Sequence, residues 1–220
     1  MATVFDCSVS AELLAGMRHA RGAIAKGELV VFPTDTVYGV AADAFSPAAV
    51  QRLLDAKGRT RQSPPPVLIA NTAMLNALAE SVPQKVTELV EAFWPGALTI
   101  VLNAQPSLHW DLGDTNGTVA VRMPNSSIAL ELLAETGPLA VSSANLTAQP
   151  AAMSAAEAES MLGDSIAVYL EAGAAEPSGT ASTIVDARGL TDDGGSLVVL
   201  RAGDISAEQL AAALEGVSVS

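Results

Sequence analysis

Apolar runs rich in Val, Ile and Leu alternate with stretches of helical periodicity along almost the whole chain. The runs predict strands at Leu29–Phe32, Val67–Ala70, Leu98–Leu102, Val119–Met123, Leu139–Ser142, Ile166–Leu170, Ser182–Asp186 and Leu197–Leu200. Several are continuously apolar, the pattern of strands covered on both faces. Helices fit between them. Ser46-Pro47 supplies an N-cap followed by proline at the first helical position, and Gly58 closes that helix after Lys57. Ser154 with Glu157 and Ser206 with Gln209 have capping-box spacing, the latter opening a tail helix over 206–215. Further helices fit Ala11–Lys26, Gln84–Phe93 and Ser127–Thr136. This alternation implies an α/β (α+β) fold, with helices packed on a twisted, mixed sheet. The polar, Gly-rich stretches Gln105–Gly117, Ala172–Gly179 and Leu190–Ser196 are loop-sized and no repeat is present. The expectation is one domain over 1–220, its core at about 10–201 and a short C-terminal tail.

Composition narrows the function without naming it. Half of the 220 residues are apolar, which excludes a disordered or low-complexity chain. With 24 acidic against 11 basic residues the formal charge is −13, and such a surface repels phosphate backbones. Cys7 is the one cysteine, so neither an intrachain disulfide nor a cysteine metal site is available, and it reads as a small apolar residue. The N-terminal MATVFDCSVSAELLAG lacks the basic-then-apolar order of a signal peptide, and no apolar run reaches the ~18 residues of a membrane span. A cytoplasmic protein is expected.

The few cations are unevenly placed. Arg52, Lys57, Arg59 and Arg61 fall within ten residues, at the end of the Ser46 helix and beyond it. Cations favour a helix C-terminus, which accounts for Lys57. Arg59 and Arg61 lie past Gly58 in a loop stiffened by Pro64-Pro65-Pro66, and alternate cations there suit a polyphosphate or carboxylate. Arg122 sits within an apolar strand, where a cation is costly unless it faces a cleft or a partner. Arg201 ends a strand, where α/β sheets often keep ligands. For each arginine the plainer reading is an ion pair with one of the many carboxylates. Short hydroxyl clusters follow or flank strands at Thr34–Thr36, Ser142–Asn145, Ser178–Thr180 and Ser182–Thr183. Singly these are turn chemistry. Together with three arginine sites they suggest one polar pocket.

Several chemistries are missing. There is no phosphate-binding glycine loop of the common types and no nucleophile elbow. His19 and His109 are isolated, and Asp111, Asp114 and Asn116 lack the spacing of a calcium loop. A pocket of cations, hydroxyls and amides without a nucleophile suits substrates that attack each other while the protein neutralises and aligns them.

Phe32-Pro-Thr-Asp-Thr-Val-Tyr-Gly39, Lys57-Gly58-Arg59, Phe93-Trp-Pro-Gly96, Val121-Arg-Met-Pro124, Ser143-Ala-Asn145, Ser182-Thr-Ile-Val-Asp186 and Leu200-Arg201 together resemble the YrdC/Sua-type family of threonylcarbamoyl-adenylate synthases, in its single-domain form. The resemblance implies a twisted, open sheet around a basic cavity, and a reaction joining L-threonine, bicarbonate and ATP into threonylcarbamoyl-AMP and pyrophosphate. That product serves a downstream tRNA threonylcarbamoyl transferase complex. By the same resemblance Thr36, Arg122, Ser143 and Ser182 hold threonine. Lys57, Arg59, Ser63, Thr118, Asn145 and Arg201 hold ATP, with Lys57 and Arg59 catalytic and Mg2+ accompanying the nucleotide. The chain departs from the family's pattern at Thr60, Ser63, Leu68 and Ser142, where proline, asparagine, histidine and proline are usual. Two other readings stand beside this one: an RNA-binding module of the same fold, and a carbamoyl- or acyl-adenylate transferase with another acceptor. The acidic charge and small aromatic content count against direct, tight nucleic-acid binding.

Overall fold

The computed structural model describes residues 2–171 and 178–220, so most of the loop expected at Ala172–Gly179 lies outside the described residues. In chain order the elements are β1 (Thr3–Asp6), α1 (Ser10–Ala25), β2 (Val30–Phe32), β3 (Gly39–Asp43), α2 (Pro47–Lys57), β4 (Val67–Leu68), α3 (Leu75–Leu78), α4 (Gln84–Phe93), β5 (Leu98–Asn103) and β6 (Thr118–Arg122). They continue with α5 (Ser127–Thr136), β7 (Leu139–Ser143), α6 (Ala155–Leu162), β8 (Val168–Glu171), β9 (Thr183–Asp186), β10 (Gly195–Arg201), α7 (Ala207–Ala213) and β11 (Val217–Val219). The strands form one eleven-stranded sheet in the order β1-β8-β2-β3-β7-β4-β6-β5-β9-β10-β11, with parallel and antiparallel pairings mixed.

The continuous apolar runs arise because both faces of the sheet are covered. Val30 and Phe32 of β2 pack with Met17, Ala20 and Ile24 of α1 and with Leu132 and Leu133 of α5. Val31, between them in sequence, belongs to the opposite core with Val50 and Leu53 of α2 and Val86 and Leu89 of α4. Strand pleating sends neighbours to opposite faces, so each position must be apolar. The helix ends follow their caps. The Ser46 side chain accepts from the Ala49 N–H, and Ser206 with Gln209 forms a complete capping box.

Three strands and a one-turn helix were not signalled by the sequence pattern. β1 and β11 are edge strands of four and three residues, too short for periodicity to register. β3, with the sequence GVAAD, has two alanines of poor strand propensity, and it is a strand because β2 and β7 pair with it on both sides. The tail helix stops at Ala213, because Leu214 is extended and the chain turns into β11.

One consequence of this layering positions the site. The core beneath α1 and α5 draws on β8, β2, β3, β7 and β4 and on none of β6, β5, β9 and β10. On that face the sheet beyond β4 is therefore not roofed by α1 and α5, and a concavity remains.

Candidate active site

A cavity of about 240 Å³ occupies this concavity, and side chains or backbone from seven consecutive strands, β3 through β10, line it. By strand register Arg122 lies beside Leu68, Ile184 beside Thr99, and Arg201 beside Ile184, so these residues share one pleat. Thr34 and Thr36 enter from the turn after β2, Ser142 and Ser143 from the end of β7, Ser182 from just before β9, and Arg59 from the loop after α2. Hydroxyls from three of the four clusters and three arginines, separated in sequence, thus meet in one place.

Arg122 is the most buried of the site's arginines, at 7 % exposure. Its Nε donates to the Gly96 carbonyl at 2.9 Å, Nη1 to Thr36 Oγ1 at 2.9 Å and Nη2 to Asp35 Oδ1 at 2.6 Å. Burial pulls its pKa down, while the Asp35 carboxylate acts in the opposite direction. Asp35 is itself fixed, because its Oδ1 also accepts from the Asn125 N–H at 3.0 Å. Thr36 is held by its own turn: Thr34 Oγ1 lies 3.0 Å from Thr36 Oγ1 and accepts from the Thr36 and Val37 N–H groups. The Pro-Thr-Asp-Thr sequence therefore builds a socket for one guanidinium.

Another part of the cavity lining is cationic without counter-charge. Arg59 Nη1 donates to Ser142 Oγ at 3.0 Å. Arg201 Nε and Nη2 donate to the Ser182 carbonyl at 3.1 and 2.6 Å, and Nη2 also to Ser182 Oγ at 3.0 Å. Ser182 Oγ lies 2.9 Å from Thr99 Oγ1. Among the described residues neither Arg59 nor Arg201 has a carboxylate partner, although the chain carries 24 acidic residues. Burial lowers the pKa of both, and Arg59 lowers that of Arg201 further. Two convergent guanidinium groups left unneutralised make an anion site.

Lys57 has a different place from the one expected on phosphates. It is 1 % exposed and does not line the cavity. Its Nζ donates to the Ser143 carbonyl, to the Asn145 carbonyl at 2.6 Å and to Asn145 Oδ1 at 3.3 Å. The Lys57 carbonyl accepts from the N–H and Oγ1 of Thr147 at 3.2 and 2.7 Å. Lys57 thus ties the end of α2 to the Ser143–Thr147 turn from both its backbone and its side chain. Burial, with Arg59 close by, pushes its pKa down to about 7. Asn145 stands in the same turn, its amide donating to the Leu146 and Gln149 carbonyls at 2.9 and 2.7 Å.

Three further expectations are resolved by geometry. Arg61 is not part of the cation cluster: it is exposed and pairs with Asp111 at 2.7 Å and with Asp114 at 3.5 Å. Ser63 is exposed and Thr118 Oγ1 donates to the Thr115 carbonyl at 2.8 Å, and neither lines the cavity. The Cys7 thiol, which does not line the cavity, is pushed up to about 11 by burial and by Asp6, Glu171 and Glu12.

Residues 22–203 match the model of the Sua5/YciO/YrdC family, whose description is telomere recombination. The chain belongs to that family. It is 49% identical over 214 residues to a candidate threonylcarbamoyl-AMP synthase of Mycobacterium tuberculosis, covering 97% of this chain and 96% of that protein. It is 37% identical over 205 residues to the threonylcarbamoyl-AMP synthase of Bacillus subtilis, with 91% of this chain and 57% of that longer protein aligned. The crystal structure of Pyrococcus abyssi Sua5 complexed with L-threonine matches with a TM-score of 0.86 at 31% identity, over 100% of this chain and 62% of that one. The mixed sheet seen here is thus the Sua5-type architecture.

Within this Sua5/YciO/YrdC frame, the structure brings Thr36, Arg122, Ser143, Ser182, Arg59 and Arg201 to the cavity. It sets Lys57 at the end of α2 and Asn145 in the turn that Lys57 holds, and neither lines the cavity. Sequence reasoning assigned no role to Asp35 or Thr99 and read Thr34 only as part of a polar turn. Asp35 carried no signal that set it apart as the partner of Arg122 in a chain with 24 acidic residues. Thr99 had none, because a threonine in a strand is ordinary.

Proposed function

We propose that this chain is a threonylcarbamoyl-AMP synthase, a nucleotidyltransferase that makes threonylcarbamoyl-AMP and pyrophosphate from L-threonine, bicarbonate and ATP. One observation carries the proposal: a buried arginine anchored by Asp35 shares one cavity with two arginines that have no carboxylate partner among the described residues. The relatives so named support the chemistry, and the Pyrococcus abyssi complex supports L-threonine as the amino acid.

Three N–H groups of Arg122 are used on the protein, and the remainder are left to grip the threonine carboxylate. Thr36, Ser143 and Ser182 supply hydroxyls around it. The threonine amine takes up bicarbonate with loss of water, giving a carbamate. A carbamate oxygen then attacks the α-phosphorus of ATP, forming the new O–P bond as the bond to the β-phosphate oxygen breaks and pyrophosphate leaves. Arg59 and Arg201 neutralise the charge gathering on the phosphoryl oxygens and the departing pyrophosphate. Loss of one such contact typically costs on the order of 10²-fold in rate. Lys57 acts in this scheme through the Ser143–Asn145 turn that it holds.

Among the described residues no cluster of three or more His, Cys, Asp or Glu side chains is placed to hold a resident metal. Magnesium would accompany the nucleotide, and the protein's own steps are assigned to its arginines. The acidic exterior favours passing the product to a separate tRNA-modifying transferase. No helix among the described residues is long and apolar enough to cross a membrane.

The test is pyrophosphate release by the purified protein with ATP, bicarbonate and either threonine or serine. Release that requires bicarbonate and prefers threonine is expected. Release indifferent to both, or none at all, refutes the proposal. Arg122→Ala should abolish turnover with the fold retained, and unchanged turnover would reject the assigned pocket.

A further inference from the structure

Arg59 is held in the cavity against electrostatic repulsion. Its backbone is set by the end of α2, where Gly58 adopts φ +62°, the Gly58 N–H reaches the Asp55 carbonyl at 3.0 Å and the Arg59 N–H reaches the Leu54 carbonyl at 2.8 Å. Its side chain lies close enough to Lys57 and Arg201 for like charge to lower the pKa of both. No carboxylate among the described residues compensates it. A flexible arm of three methylenes and Nε in that field would be expected to swing outward to water. What meets its guanidinium is a neutral hydroxyl, Ser142 Oγ, at 3.0 Å.

We propose that Ser142 is a positioning residue that aims the Arg59 guanidinium into the cavity for the nucleotide's polyphosphate. The inference deepens the reading given above and rests on it only in taking that polyphosphate to be ATP's. Ser142 is suited to the task because it cannot itself move: it lies in β7, registered with Val40 of β3, and is 8 % exposed. It lines the cavity together with Arg59 near the end of β7, where Lys57 ties the end of α2 to the Ser143–Asn145 turn. The choice of a hydroxyl has a chemical reason. A carboxylate in its place would hold Arg59 more firmly, but it would cancel the positive charge and repel an incoming phosphate. A hydroxyl orients without neutralising.

The experiment measures dissociation constants for inorganic pyrophosphate and ATP by titration calorimetry, alongside KM for ATP and for threonine. Ser142→Ala should weaken pyrophosphate about tenfold and raise KM for ATP similarly, leaving KM for threonine within about twofold. Ser142→Thr, which restores the hydroxyl on a residue suited to a strand, should recover most of the loss, whereas Ser142→Val should not. If the alanine variant is poorly folded, the Thr and Val pair decides, since the two differ by the hydroxyl at nearly constant shape. On an Arg59→Ala background Ser142→Ala should add no further loss, because its effect passes through Arg59. Full additivity of the two changes, wild-type pyrophosphate affinity in Ser142→Ala or Ser142→Val, or failure of the wild-type protein to bind pyrophosphate would each overturn the proposal. Wild-type protein that binds pyrophosphate in the expected Ser142-dependent manner yet forms no adenylate would instead reject the assigned reaction and leave the role of Ser142 standing.

Discussion

At the scale of single residues, the pairing of each cation decides its use. Arg61 and Arg188 found carboxylates at the surface, and their ion pairs carry little stability. Arg122 found Asp35 inside the molecule, where breaking one partner of a buried pair costs about 3–5 kcal/mol. Asp35→Ala should accordingly destabilise the protein by about 3 kcal/mol in denaturant unfolding and weaken threonine binding in the same variant. A loss confined to stability would show that Asp35 does not set Arg122 for a ligand. Lys57 gives a pH prediction. In the unfolded chain a lysine keeps its proton up to about 10.5, while folded Lys57 releases it at about 7. Between those values the unfolded state binds more protons, so this group makes stability rise with pH across that window and leaves it flat below. Comparing unfolding free energies of the wild type and Lys57→Met from pH 6 to 10 should show that slope removed in the variant. The residue types at the site were legible in the sequence, because cations are scarce and hydroxyls clustered. Their partners were not, because a sequence with 24 acidic residues offers every arginine many candidates.

Among the secondary-structure elements, local rules succeeded where a segment carries its own cause. α2 and α5 fall where their caps and periodicity place them, and α4 where its periodicity does. β3 does not, since two alanines become a strand through neighbours brought from Val30–Phe32 and Leu139–Ser143. The junction between β10 and β9 shows how element packing reaches the site. A Cβ on Gly203 would stand 2.3 Å from the Ala181 carbonyl oxygen and 2.5 Å from the Ser182 and Thr183 backbone. Gly203→Ala must then displace the start of β9, at a cost of about 1–3 kcal/mol. It should also disturb the Arg201–Ser182 contacts and raise KM for both substrates. A folded variant with wild-type kinetics would show that this close approach does not position Arg201.

For the whole molecule, the contrast is between an acidic exterior and a cationic cavity. A net charge of −13 opposes phosphate backbones over the surface, yet Arg59 and Arg201 leave the cavity cationic. Purified protein should therefore fail to shift tRNA in an electrophoretic assay at physiological salt, while still binding pyrophosphate under the same conditions. Tight tRNA binding that falls steeply with added salt would contradict this division.

The sequence by itself determined the fold class, most of the strands and helices, and the residue types that meet in the cavity. These depend on short-range causes: pleat and helix periodicity, caps, and the cost of placing a cation in an apolar strand. Only the tertiary structure decided that Arg122 takes Asp35, that Arg61 leaves the cluster for Asp111, and that Lys57 braces a turn instead of facing the cavity. Those outcomes depend on which distant segments the sheet order makes adjacent, and distance in space is what selects one partner among many of equal charge.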